Sequence, residues 1–219
     1  TGRLLSELNR KNILENTIII FTSDNGGLST AEGSPTCNAP LSQGKGWMYE
    51  GGNRVCFFVT WYGRIKESKV IHAPICGIDI FPTILELAGI ERSLAYEEVD
   101  GISILPLLEK QNERCFFERP LFWHYPHYGN QGGTPSGGVR IGNYKLIEFF
   151  EDKHTELYDL HKDIGEIYNI INVEKPIAKK LYSLLQQWQE GVKAVFPTIN
   201  PNYMSREDNK ASTNKIANT

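Results

Sequence analysis

The chain has 219 residues, 40% of them hydrophobic and 22% charged, with 23 Lys and Arg against 26 Asp and Glu for a formal net charge of −3. That is the composition of an ordinary globular protein, which excludes a collagen-like, coiled-coil or wholly disordered chain. The near-neutral balance offers no clustered excess of Lys and Arg for nucleic acid, and no apolar run approaches the roughly 18–20 residues that cross a bilayer, so neither a nucleic-acid partner nor a membrane span is expected.

In chain order, Leu4, Leu5 and Leu8 fall on one face of a helix predicted over 3–12. This patterning starts almost at Thr1 with no basic and apolar leader before it, so the sequence is expected to be entered partway along a longer protein. Residues 17–21 are a β-branched apolar run, and a continuous rather than alternating run predicts a strand buried on both faces, as in a parallel sheet covered by helices. A loop rich in Gly, Ser and Pro over 26–53 leads to a second apolar strand over 55–61. A helix is predicted over 78–87, with Asp79 near its start, Pro82 in its first turn and Gly89 past its end. Strands and helices in this order predict an α/β fold.

From about residue 115 the pattern changes to short aromatic and β-branched runs at 120–123, 138–141, 144–150 and 156–160, the last two joined as a hairpin through Glu151-Asp152-Lys153. A small C-terminal antiparallel sheet is expected. Ile177, Leu181, Leu184, Leu185, Trp188, Val192 and Val195 then form one stripe, which predicts a helix over 174–195 packed across that sheet. The expected organisation is an α/β part over 1–112, a sheet-plus-helix part over 113–199, and a polar tail over 200–219 that holds five Asn.

Four residues, Cys37, Cys56, Cys76 and Cys115, are the only cysteines, and none forms a Cys-x-x-Cys pair, so spacing offers no zinc or redox centre. Disulfides and free buried thiols both remain open.

Two loops carry residues with chemical potential. Ser23-Asp24-Asn25-Gly26-Gly27 follows the first apolar strand, where open α/β sheets place ligands. Asp24 and Asn25 offer hard oxygens suited to Ca²⁺ or Mg²⁺, with Gly26 and Gly27 read as letting the backbone turn away; the same residues also suit a plain strand-ending turn. In Gly44-Lys45-Gly46-Trp47-Met48-Tyr49-Glu50-Gly51-Gly52, no neighbouring Cβ blocks an anion from the Lys45 ammonium, and Arg54 is a second possible cation. No nucleotide-binding Gly-x-x-x-x-Gly-Lys-Ser/Thr is present, and a solvated loop lysine is the alternative. Glu50-Gly51-Gly52 reads as a tight turn into the next strand.

Taken in order, Ser-Asp-Asn-Gly-Gly at 23–27, Gly-Lys-Gly-x-x-x-Glu-Gly-Gly at 44–52 and Asp-Ile-Phe-Pro-Thr-Ile-Leu-Glu-Leu-Ala-Gly at 79–89 resemble the sulfatase family of the alkaline-phosphatase-like superfamily. The resemblance continues through Gly-Asn-Tyr-Lys-Leu-Ile at 142–147, Glu-Leu-Tyr-Asp-Leu at 156–160 and Asp163-x-x-Glu166-x-x-Asn169, which resemble the family's C-terminal subdomain. It implies a partial alkaline-phosphatase-like mixed sheet with flanking helices, followed by the small antiparallel sheet and its helix. It also implies that Asp24 and Asn25 are calcium ligands and that Lys45 holds the sulfate and stabilises charge on the leaving oxygen. The physical reading agrees, because cleavage of a sulfate ester builds negative charge that a cation and an ammonium can meet.

The departures matter equally. Sulfatases make a formylglycine nucleophile from Cys or Ser in a Cys/Ser-x-Pro-Ser/Ala-x-Arg motif near the start of the domain, together with an early aspartate pair, and neither occurs here. The resemblance therefore implies the C-terminal portion of a sulfatase, whose partner is a missing N-terminal half carrying the formylglycine. Residues 122–128, Phe-Trp-His-Tyr-Pro-His-Tyr, followed by a Gly-rich stretch and Arg140, resemble the substrate-facing loop of polysaccharide sulfatases. His124, His127 and Arg140 are thus candidate contacts for a sulfated saccharide, a packed aromatic strand end being the alternative. A periplasmic or secreted location is the family's expectation. Two rival readings are a non-catalytic binding module with a vestigial anion site and a phosphohydrolase of the same superfamily, although the five histidines do not show the zinc ligands of the latter.

Overall fold

The computed structural model describes residues 1–65, 68–90, 99–109, 113–201 and 203. The boundary expected at residue 112 and nearly all of the polar tail lie outside these residues. Helix α1 (Gly2–Arg10) precedes strand β1 (Ile19–Thr22), and a long loop leads to the single turn α2 (Glu50–Asn53) and strand β2 (Phe57–Thr60). A 3-10 turn at Gly77–Asp79 opens α3 (Ile80–Leu87), and the short helices α4 (Leu105–Leu108) and α5 (Arg114–Glu118) follow. Strands β3 (Pro120–Tyr125), β4 (Ser136–Ile141), β5 (Tyr144–Phe149) and β6 (Thr155–Asp159) then form an antiparallel sheet in chain order, and α6 (Lys175–Gly191) closes the described fold.

The four-stranded sheet is covered on both faces, and side-chain alternation divides the work. Val139, Leu146 and Leu157 face α6, where they pack on Ala178, Leu181 and Leu185, with Phe122 stacked on Trp188 at 4.9 Å between ring centres. Their neighbours Ile147, Phe149 and Tyr158 face the other way, onto Met48 and Leu160. The sheet is thus sandwiched between its own helix and the loop that leads into α2. This is the arrangement predicted for the C-terminal part, with α6 beginning at a Pro in its first turn, where a missing N–H costs least.

The first strand pair differs from expectation. β1 pairs antiparallel with β2, in the register Ile19 to Thr60 and Thr22 to Phe57, and is not enclosed on both faces. Ile19 and Ile20 are half-buried, whereas Phe21 is 55% and Phe58 61% exposed. Thr1 and Leu5, from the α1 end of the chain, line with Ile19, Phe21, Phe58 and Thr60 a shallow cavity of about 280 Å³. The apolar run does form a strand, as expected, but within the described residues little covers it. The cysteines differ too, since all four are free and three are exposed.

Asp79 does more than favour the start of α3. It is 1% exposed, accepts the Cys76 N–H at 2.8 Å and the Ile102 N–H at 3.0 Å, and is gripped by both terminal nitrogens of Arg119 at the entry to β3. A carboxylate this deep is tolerable because charge-assisted bonds occupy both oxygens.

A second buried charge cluster ties the start of α2 to the C-terminal sheet. Lys145 of β5 is 0% exposed, and its ammonium lies 3.0 Å from Glu50 Oε1 and 3.0 Å from Glu166 Oε1. The Glu50 backbone N–H donates to Glu166 Oε2 at 2.6 Å, and Arg140 and Arg54 approach Glu50 Oε2 at 3.4 and 3.5 Å. Burial opposes ionisation of Glu50, yet Lys145, Arg140 and Arg54 outweigh it and hold its carboxyl below the ordinary range. Glu166 shifts the other way, pushed up by burial against the pull of Lys145.

Replacing Lys145 by Met keeps most of the volume and leaves two enclosed carboxylates facing each other. Such a variant is expected to lose about 3–5 kcal/mol of unfolding free energy at pH 7. Without Lys145 both carboxyls take up protons at higher pH in the folded state, so the gap from wild type narrows between pH 7 and pH 4 as protonation relieves the repulsion. Urea denaturation of both proteins across that range measures it; a gap that widens on acidification contradicts the assignment.

Candidate functional site

The loop after β1 and the loop before α2 lock together through their backbones. Gly26 N–H donates to Gly52 O at 2.8 Å, Lys45 N–H to Gly27 O at 3.0 Å, and Gly51 N–H to Ser42 O at 2.8 Å. A Cβ on Gly26 would fall 1.7 Å from Gly51 O, and one on Gly44 2.4 Å from Gly27 O. Gly26, Gly44, Gly51 and Gly52 therefore serve close backbone approach, whereas Gly46 takes a left-handed φ of +86°. Gly26 and Gly27 have no left-handed backbone, and Glu50-Gly51-Gly52 begins α2 rather than making a tight turn.

Asn38, in the intervening loop, staples this junction. Its amide donates to Gly27 O at 2.8 Å, Gln43 O at 3.0 Å and Ser29 Oγ at 3.3 Å. Nothing in its spacing marks it in the sequence; a lone Asn before Ala-Pro reads as any loop residue.

The outcome is that Asp24, Asn25 and Lys45 come onto adjoining loops. Asp24 is exposed, its Oδ1 accepting the Asn25 N–H at 3.0 Å, and Asn25 is half-buried. Lys45 is exposed between buried Gly44 and half-buried Gly46. Among the described residues no three or more His, Cys, Asp and Glu side chains gather to hold a metal. The donor set of Asp24 and Asn25 fits a hard cation in kind, and it falls short of the six to eight oxygens that Ca²⁺ takes.

The saccharide candidates separate. His127 is exposed on the β3–β4 loop, edge-on to Tyr125 at 5.4 Å, and this loop is bonded to Trp47, two residues from Lys45, through Trp47 Nε1 to Gln131 O at 2.9 Å. His124 packs between Phe150 and Phe196, each 5.1 Å away, with Nε2 donating to Val195 O at 2.9 Å. Arg140 gives its guanidinium to Gly142 O and Glu50, and burial pushes its pKa down against the pull of Glu50. The structure thus ties the loop that carries His127 to Trp47 and engages His124 and Arg140 in internal contacts. Strand alternation would have separated them: His124 shares a row with Gly137 on the α6 face, and Arg140 pairs with Lys145 on the other.

Comparison with known proteins gives the family. Residues 43–191 match the family described as N-sulphoglucosamine sulphohydrolase, C-terminal. The chain is similar to a sulfatase of Formosa agariphila, 35% identical over 208 residues that cover 85% of this chain and 37% of that protein. It is also similar to N-acetylglucosamine-6-O-sulfatase of Bacteroides thetaiotaomicron, 30% identical over 86% of this chain and 32% of the relative. Human arylsulfatase A is 30% identical over 86% of this chain and 40% of its own. The chain therefore spans between 32% and 40% of the length of these relatives. Among solved structures, Ps i-CgsB in complex with k-i-k-neocarrahexaose shares the fold with a TM-score of 0.72 at 22% identity, over 99% of this chain and 44% of that one. BT4656 in complex with its substrate D-glucosamine-2-N,6-O-disulfate gives a TM-score of 0.68 at 26% identity, over 88% of this chain and 38% of that one.

Close packing of the two loops predicts a sharp contrast between glycine sites. Gly26→Ala is expected to cost about 1–3 kcal/mol or more, because backbone must move to admit the methyl. Gly77→Ala, where a Cβ meets nothing within 4 Å, is expected to stay within about 0.5 kcal/mol of wild type. Denaturation midpoints of the two variants compare them directly.

Proposed function

Since the chain belongs to the sulfatase family and corresponds to its C-terminal portion, we propose that it completes a sulfuric ester hydrolase acting on a sulfated carbohydrate. In this reading Lys45 binds the sulfate group and stabilises charge on the departing oxygen. Asp24 and Asn25 supply hard oxygen ligands to Ca²⁺, with Mg²⁺ the alternative, and the remaining donors come from an N-terminal portion. The bound cation would offset the charge of the sulfate and so favour its approach. The formylglycine nucleophile belongs to that same portion. His127 faces the saccharide, whereas His124 and Arg140 act on it only indirectly, through the strands they hold in place.

The observation that carries this reading is the bond from Lys45 N–H to Gly27 O, which sets an exposed ammonium on a loop adjoining the Asp24-Asn25 pair. The exposed Phe21 and Phe58 support the N-terminal partner, since two aromatic rings on one strand pair are costly to leave in water and form a natural seam for the rest of the sheet. The carbohydrate substrate is supported by relatives named for sugar sulfates. A periplasmic or secreted location accords with sugar polymers met outside the cytoplasm.

The test joins this chain to its N-terminal portion and measures sulfate release from sulfated saccharides. Lys45→Ala is expected to lower kcat/KM by about 10²–10³-fold, the effect of removing one group that meets developing charge. Unchanged turnover removes Lys45 from the chemistry. A chelator is expected to abolish activity and added Ca²⁺ to restore it; for Asp24→Ala, restoration is expected only at higher Ca²⁺.

A further inference from the structure

We propose that Trp47 and Thr30 form a clamp that positions the β3–β4 loop beside Lys45, so that the grip on the saccharide is set by the same turn that carries the sulfate-binding ammonium. The proposal rests on the sulfatase reading above and adds residues to it. The Gln131 carbonyl receives two donors from distant parts of the chain, Trp47 Nε1–H at 2.9 Å and the Thr30 hydroxyl at 2.7 Å. Trp47 Nε1 also lies 3.2 Å from Thr30 Oγ1, so the hydroxyl accepts from the indole while it donates to the carbonyl, and the three groups bond as one unit.

Backbone contacts bring the same segments together. A Cβ on Gly133 would fall 1.8 Å from Gly46 O, and one on Gly132, whose φ is +94°, would fall 3.1 Å from the Trp47 ring. The loop backbone thus lies directly on the Gly46-Trp47 turn. Asn130 adds a second tie, its amide donating to Glu32 Oε1 at 3.2 Å. Gly129-Asn130-Gln131-Gly132-Gly133 is otherwise among the least constrained kinds of sequence, because glycine loses the most backbone freedom on ordering. The few bonds that hold it therefore decide where it sits, and with it where His127 and Tyr128 stand relative to Lys45. Neither Trp47 nor Thr30 is asked to touch the ester, so both are positioning residues.

Trp47→Phe keeps an aromatic ring and deletes the N–H; Thr30→Val keeps the shape and deletes the hydroxyl. In the present chain, amide hydrogen exchange over 129–133 is expected to quicken about tenfold in either variant, the population change that one lost hydrogen bond produces. In the enzyme joined to its N-terminal portion, kcat/KM is measured for 4-nitrophenyl sulfate and for whichever of D-glucosamine-2-N,6-O-disulfate or a sulfated carrageenan oligosaccharide is turned over. The ratio of saccharide to aryl ester is expected to fall about tenfold, chiefly through KM, and Thr30→Ser to restore it, whereas Lys45→Ala lowers both substrates alike. Unchanged exchange, or equal losses on both substrates in the clamp variants, overturns the clamp and leaves the sulfatase reading standing. Absence of sulfate release from the wild-type joined enzyme overturns the sulfatase reading, and the clamp's role in it as well.

Discussion

The Lys145 ammonium, fully enclosed and 3.0 Å from oxygens of both Glu50 and Glu166, ties together three stretches of chain that are far apart in sequence. Glu50 begins α2 directly after the loop that carries Lys45; Lys145 lies in β5; Glu166 follows β6. The C-terminal sheet therefore supports the candidate site physically, because its buried face carries the cation that holds the start of α2. A buried pair of this kind is poor at adding stability and good at selecting one register, since any slip leaves a charge unpaired. Arg140, on the neighbouring strand, strengthens the same selection by approaching Glu50 from a second side.

From that anchor the site is assembled mostly by backbone. Glycines at 26, 44, 51 and 52 let main chain pack against main chain where any side chain would collide. The result is a closely packed backbone junction beneath the exposed Asp24 and Lys45. Backbone fixed in this way beneath exposed side chains is what the proposed recognition of an anion would require. On the β1–β2 pair, by contrast, Phe21 and Phe58 are largely exposed.

Much of the fold was legible from periodicity alone. The stripe of Ile177, Leu181, Leu185 and Trp188 marked α6, and the short runs at 120–123, 138–141, 144–150 and 156–160 marked the strands it packs on. The helix over Ile80–Leu87 was legible from its flanking Asp, Pro and Gly. The turns α2, α4 and α5 were not, because four or five residues are too few to show a helical period. Antiparallel pairing of β1 with β2 also escaped, since an apolar run reports that a strand is covered and says nothing about the direction of its neighbour.

The sequence by itself determined the family and singled out Asp24, Asn25 and Lys45 as candidates, because motif spacing and residue type are local facts. Only the tertiary structure decided which polar residues are free to act. Lys45 and Lys145 are the same amino acid, each in a stretch that carries the family resemblance, yet one is exposed and the other is sealed between two carboxylates. His124 and His127 stand three residues apart, yet one is packed among Phe rings and the other is exposed. The physical reason is that the availability of a charge or an imidazole depends on partners brought from other segments of the chain, and such partners leave no trace in the local pattern.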